Sequence, residues 1–254
     1  MKLMTLHLLP SAHPARVLLE TLFRCSSIID NEEAFHEAGF EVRVKQSRSL
    51  MRVATHPTLA KYIFKVFFVE ERQCEREKSR GWKGFATRCR TADRIRKVIQ
   101  ERGIRHFRVP RKWLFHPPYH RLCELDDQPV ILVAEYQDLV SRMENEHAWL
   151  NSVTESQLDE LYAIIDRAGG VSCRPDNIAL TKQGQFSFID TEYSGETRDY
   201  ESIIPYLSQR MRNYWSSLIK EAPNNADAGA SLKRAAADPS EARRAKRMTR
   251  REDR

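Results

Sequence analysis

Residues 172–192 read SCRPDNIALTKQGQFSFIDTE, and the fold turns on them. Two short runs rich in strand formers, IALT at 178–181 and FSFID at 186–190, flank a turn at Gly184, so the stretch predicts a tight hairpin. Asn177 and Asp190, thirteen residues apart, then stand at its two open ends. A carboxylate and an amide oxygen held side by side suit a hard cation such as Mg²⁺, which takes oxygen ligands in octahedral geometry. The competing reading is local: Asn and Asp also form turns by bonding their own backbone.

Upstream of the hairpin, TESQLDELYAIIDRAGG (154–170) predicts a helix. Thr154 and Gln157 sit in capping-box positions, Leu158, Leu161 and Ile165 form an apolar stripe, and Gly169-Gly170 end it. Further back, RKWLFHP (111–117) and QPVILVAEYQ (128–137) predict an antiparallel pair, the second almost continuously apolar and so central and buried. Ala92, Ile95 and Ile99 share one face of a helix over 85–102, which Gly103 stops. Three strands precede it, FEVRVKQ (40–46), LMRVAT (50–55) and YIFKVFFVE (62–70), and residues 15–38 read as one or two helices. Downstream, a helix is expected over 199–221, with Pro205 in its first turns.

The order is a sheet-rich first half with one inserted helix, then a mostly helical second half. That predicts an α+β fold in two lobes. The expected divisions are an N-terminal helical extension (1–38), a sheet-rich N-lobe (39–137), a reduced helical C-lobe (138–222) and a disordered basic tail (223–254).

The chain has 254 residues, 41% of them hydrophobic, enough for a real core, and no apolar run long enough to span a membrane. The start, MKLMTLHLLPSAHPA, is faintly like a signal peptide, but His7 and Pro10 interrupt it, so it reads as a mature amino terminus. The five cysteines (25, 74, 89, 123 and 173) are odd in number and form no CxxC pair, which predicts free thiols in a reducing, cytoplasmic setting. The net charge of +7 is uneven: residues 71–112 carry +10 and residues 233–254 carry +5, leaving the rest acidic. Such patches favour a nucleic acid or an acidic protein partner, with a solvated helix face as the plain alternative.

Taken together, these motifs resemble the protein-kinase-like superfamily over roughly residues 40–195. Lys65 lies mid-strand in YIFKVFF, as that family's phosphate-pairing lysine does; VAEYQ is similar to its hinge, and RPDNIAL…FSFIDTE to its catalytic and metal loops. ATHPTLAKYIFKVFF and FIDTE are also similar to stretches of bacterial kinase-like proteins. The resemblance implies Mg-ATP as ligand, Asn177 and Asp190 on the metal, Lys65 on the phosphates, and Glu135 and Tyr136 in the hinge. It further implies Asp93 as the helix carboxylate that orients Lys65. On its own, Lys65 is equally a lysine that snorkels at a sheet edge.

Departures from the family pattern point to an atypical kinase or pseudokinase. Ser172 stands five residues before Asn177, where the family's catalytic Asp is expected, and a serine is no carboxylate base. Asp176 and Asp166 are the substitutes in reach along the sequence. The turn KQSRSL (45–50) has no glycine, although a Gly-rich loop depends on bare backbone N–H groups meeting phosphates. Thr191-Glu192 replaces the usual Phe-Gly. The leading expectation is therefore a kinase-like protein that binds nucleotide in an inter-lobe cleft and transfers phosphate slowly or not at all. The alternatives are a non-enzymatic basic adaptor using 71–112 and the tail, and a small-molecule phosphotransferase with another base. His116, His120 and Cys123 offer an incomplete zinc spacing, and Cys173 is either a reactive thiol or a buried one.

Overall fold

Five strands form one antiparallel sheet in the order β1-β2-β3-β6-β5. They are β1 (Glu41–Lys45), β2 (Arg52–Thr55), β3 (Tyr62–Val66), β5 (Lys112–Phe115) and β6 (Ile131–Glu135). A smaller sheet, ordered β4-β8-β7, is built from β4 (Phe107–Arg108), β7 (Ile178–Leu180) and β8 (Phe186–Phe188). In the computed structural model, residues 7–24, 26–45, 50–68, 81–117, 129–169, 173–192 and 198–220 are described. Ser172, most of the glycine-free turn, His120, Cys123 and the basic tail lie outside the described residues. The fold is α+β as the sequence predicts, and its two sheets are consistent with a two-lobed kinase-like chain. No helix among the described residues is long and apolar enough to cross a membrane.

Strand alternation divides the large sheet into two chemically different faces. On one, Phe64, Val66, Ile131, Val133 and Phe115 join Leu19, Phe23, Phe35 and Phe40 in a buried cluster. Here α1 (Arg16–Leu22) and α2 (Glu32–Glu37) cover the sheet, and Phe35 stacks on Phe40 with ring centroids 4.1 Å apart. Burying a phenylalanine contributes roughly 1.5–3 kcal/mol, so these aromatics anchor the N-terminal helices firmly. Residues 7–9 also run beside β5, where Leu9 donates to Leu114 and Leu114 to His7 through the backbone. That covers a sheet edge which would otherwise present open hydrogen-bonding groups.

The opposite face packs on α3 (Gly81–Arg102), through Phe85, Ala86 and Cys89 against Met51, Leu114, Leu132 and Ala134. Lys65 and Lys112 lie on this face. Lys65 is paired across the ladder with Leu132, and Lys112 with Ala134, and those two β6 residues point the same way. The β3–β6 and β5–β6 pairings thus aim two ammonium groups at one region beneath the sheet.

After β6 the chain runs alongside β7: Val140 donates to Leu180, and Lys182 to Asp138. Helix α4 (Arg142–Asn151), capped by Ser141 and Glu144 in a capping box, holds the hairpin from outside. Its Asn145 donates to Pro175 and accepts from Leu180, and Trp149 donates to Ile178. Helix α5 (Glu155–Ala168) is capped by Thr154 and Gln157 as predicted, and Glu160 accepts the backbone N–H of His106 just before β4. Gly184, at φ +83°, makes the β7–β8 turn in a region that favours glycine.

The chain divides into two units, Met1–Leu207 and Ser208–Arg254. The helix expected over 199–221 is shorter than its sequence pattern. Pro205 sits in a short 3₁₀ turn at Ile204–Tyr206, and the α-helix α6 occupies 209–220. Proline removes a donor and disfavours helical backbone before it, whereas the Ser208 hydroxyl accepts from Met211 and starts the later helix.

Candidate functional site

The segment Ile189–Glu192, which leaves the small sheet at the end of β8, is held beneath the large sheet by three cationic side chains. Lys65 Nζ lies 3.3 Å from Asp190 Oδ2, and Arg88 Nε donates to Asp190 Oδ1 at 3.0 Å. The other arm of Arg88 reaches Glu192 at 3.1 Å. From β5, Lys112 donates to the Ile189 carbonyl at 3.2 Å and to the Thr191 hydroxyl at 2.8 Å. That hydroxyl donates onward to the backbone oxygen of Arg88 at 2.7 Å. Both oxygens of Asp190 are therefore engaged by fixed cations, and Thr191 ties the segment to α3.

This network gives the two residues that follow Asp190 a structural role. Thr191 is 1% exposed and bridges Lys112 to α3, and Glu192 gives Arg88 a second carboxylate. A phenylalanine and a glycine at those positions would supply neither contact.

Burial and charge oppose each other across the cluster. Burial works to raise the Asp190 carboxyl, but Lys65, Arg88 and Lys112 together hold it well below the usual carboxylate range. Burial lowers the Lys65 ammonium, against the attraction of Asp190. Burial, aided by the nearby Lys65 charge, pushes Lys112 down to about 7. Cys89, buried beside them, is pushed up to about 12 by burial. Cys173 is also fully buried and, again through burial, lies well above an ordinary thiol, so neither sulfur is a ready nucleophile.

The Lys112 shift has a measurable consequence. Its folded pKa lies below its unfolded value, so the unfolded chain binds more protons between about pH 7 and 10.5, and stability rises with pH there. Above pH 9 the raised cysteines act in the opposite direction. Urea unfolding between pH 7 and 9 is therefore expected to show a stability rise that Lys112→Met reduces, the lowered Lys65 acting with the same sign. Parallel profiles for the two proteins would contradict the buried placement of this amine.

Of the residues singled out from sequence, Lys65 and Asp190 meet. Asn177 is joined to Asp190 through its backbone, its carbonyl accepting from Ile189 at 2.9 Å and from Asp190 at 3.3 Å. Asp93 does not serve as the partner of Lys65. It is half exposed and pairs with His7 at 3.2 Å and with Arg96, whereas the residue that α3 sends into the site is a cation, Arg88. In the hinge-like segment, Glu135 N–H donates to Arg111 O and Tyr136 N–H to Lys61 O, while Glu135 Oε2 accepts from Arg111 N–H. The Tyr136 ring is 48% exposed. Asp166 binds Arg198 and Tyr200, and Asp176 is exposed on the turn before β7.

Arg88 and Lys112 escape the motif reading, yet both had a signal. Arg88 falls in the stripe Phe85, Arg88, Ala92, Ile95 at helical spacing, and Lys112 alternates with Leu114. Within 81–112, part of the positive charge expected on a binding face is thus spent internally: Arg88 and Lys112 are buried, and Arg96 spans Asp93 and the Pro110 carbonyl.

Mg²⁺ is a poor fit to these groups as arranged. An ion on Asp190 would share its carboxylate with Lys65 and Arg88, and Glu192 is already paired with Arg88. No group of three or more His, Cys, Asp or Glu side chains is placed to hold a metal among the described residues.

No protein-family model matches the chain, and no curated protein matches it. Among solved structures, the kinase domain of PknI from Mycobacterium tuberculosis overlaps 66% of this chain and 71% of its own, at 14% identity and a TM-score of 0.36. Rv3197 from the same organism, solved with erythromycin, overlaps 76% of this chain and 54% of its own, at 13% identity and a TM-score of 0.34. Both overlaps are too loose to assign a family.

Proposed function

We propose that the chain is a kinase-like protein of the pseudokinase type, which binds the phosphates of a nucleotide at Lys65 and transfers phosphate slowly or not at all. The observation that carries this reading is the convergence of a strand-borne lysine and a loop aspartate, Lys65 and Asp190, at 3.3 Å in a buried setting. A lysine that merely snorkels keeps its head in water; the side chain of this one is 7% exposed. Lys65 and Arg88 balance Asp190 and Glu192, and Lys112, whose ammonium is pushed down to about 7, adds positive charge when protonated, a state that an anionic ligand favours.

The slow-transfer half of the reading rests on the missing base. Phosphoryl transfer depends mainly on positioning and charge neutralisation, with a carboxylate to receive the hydroxyl proton. Ser172 offers none, Asp166 is committed to Arg198 and Tyr200, and Asp176 is exposed.

Thermal unfolding with ATP, ADP and adenosine tests the binding half. ATP at about one hundred times its Kd is expected to stabilise by about 2.7 kcal/mol, raising Tm by several degrees. Adenosine, which has no phosphates, is expected to give much less. Equal Tm values with and without ATP would remove this reading.

A further inference from the structure

We infer that Arg88 stands where a divalent cation would otherwise sit, so that the site binds a nucleotide's phosphates without metal. This rests on the nucleotide-binding reading above and adds the means by which charge is neutralised. A metal bridging a carboxylate and phosphates does two things: it cancels the carboxylate's charge, and it presents positive charge to the ligand. Arg88 is built to do both. Its Nε holds Asp190 at 3.0 Å, its other arm reaches toward Glu192 at 3.1 Å, and its side chain is 4% exposed. A guanidinium keeps its charge when buried and offers donors in a planar fork that matches phosphate oxygens as well as carboxylates.

The partner of the outer arm marks the way in. Glu192 is 43% exposed, against 13% for Asp190, so the ion-pair network meets solvent at Glu192. A phosphate arriving there takes the place of the Glu192 carboxylate on Arg88, while Asp190 keeps the guanidinium oriented. Lys65, 3.3 Å from the other Asp190 oxygen, supplies the second positive contact. Glu192 is thus an internal competitor for the phosphate, and the residue that differs from the family's glycine acquires a role.

Calorimetric titration of the full chain with ATP, in EDTA and in excess Mg²⁺, tests the inference. The wild type is expected to bind ATP in EDTA within about threefold of its affinity in Mg²⁺. Arg88→Gln is expected to weaken binding in EDTA about tenfold or more, and to recover part of that loss when Mg²⁺ can reach Asp190. Glu192→Gln is expected to tighten binding in EDTA, because a competing carboxylate is gone. Wild-type binding that requires Mg²⁺ would overturn this inference and leave the nucleotide-binding reading standing. An absence of ATP binding in both buffers would overturn both. Since the metal dependence is read on the wild type, the test survives even if Arg88→Gln fails to fold.

Discussion

Asp190→Ala is expected to destabilise the chain by about 3–5 kcal/mol, the usual cost of leaving a buried charge without its partner. The effect is large because one carboxylate serves several cations. Its removal strands Lys65, whose side chain is 7% exposed, leaves the buried Arg88 with Glu192, and takes away a counter-charge that also acts on Lys112. Asp190→Asn keeps the shape and one acceptor but loses the charge, so its cost is expected to fall between wild type and alanine. The pH dependence has a definite sign. Because the folded Asp190 carboxyl is held below its unfolded value of 3.8, its contribution is fully present above that value and is lost as pH falls through the folded pKa. Denaturant unfolding at neutral pH measures the difference. A loss below about 1 kcal/mol, typical of an exposed pair, would contradict the buried arrangement.

The second large effect concerns ligand binding. Lys65→Met is expected to weaken ATP binding by about tenfold to one hundredfold, the loss of a charge-assisted contact worth roughly 1.5–3 kcal/mol. Methionine keeps much of the lysine's length and fills the space beside Leu132 and Val53, the cross-strand neighbours on β6 and β2. Arg88 remains on Asp190 in this variant, so the aspartate keeps a partner and the fold has a route to survive. Lys97→Met is the matching control, since Lys97 is 75% exposed on α3 and pairs only loosely with Glu101 at 3.7 Å. Equal ATP affinity in wild type and Lys65→Met would place the ligand elsewhere.

Strands and caps were the legible parts of this chain, because each rests on a local rule. YIFKVFF is rich in strand formers and carries β3, and Thr154 with Gln157 forms the predicted capping box. Helix α4 was not anticipated, for a physical reason: it buries Asn145 and Trp149 while Met143 is 80% exposed, so its apolar residues do not mark its inner face. Its Ser141–Glu144 capping box was the available clue. At the site, Lys65 and Asp190 could be paired through a motif. Arg88 and Lys112 belong to no motif, and the basic run around them outweighs the helical stripe and strand alternation that place them inside. Asp93 drew attention as a carboxylate on the right helix, but it lies five residues beyond Arg88, toward His7 and away from the stripe that faces the sheet.

A double-mutant cycle on Lys65 and Asp190 compares the unfolding free energies of wild type, Lys65→Met, Asp190→Asn and the double variant. It measures whether a lysine from the large sheet and an aspartate from beyond the hairpin share one buried ion pair. The expected result is strong non-additivity, with a coupling of about 1–3 kcal/mol and the second change costing far less once the first is made. Costs that add to within about 0.5 kcal/mol would show the two side chains acting independently and would contradict the account.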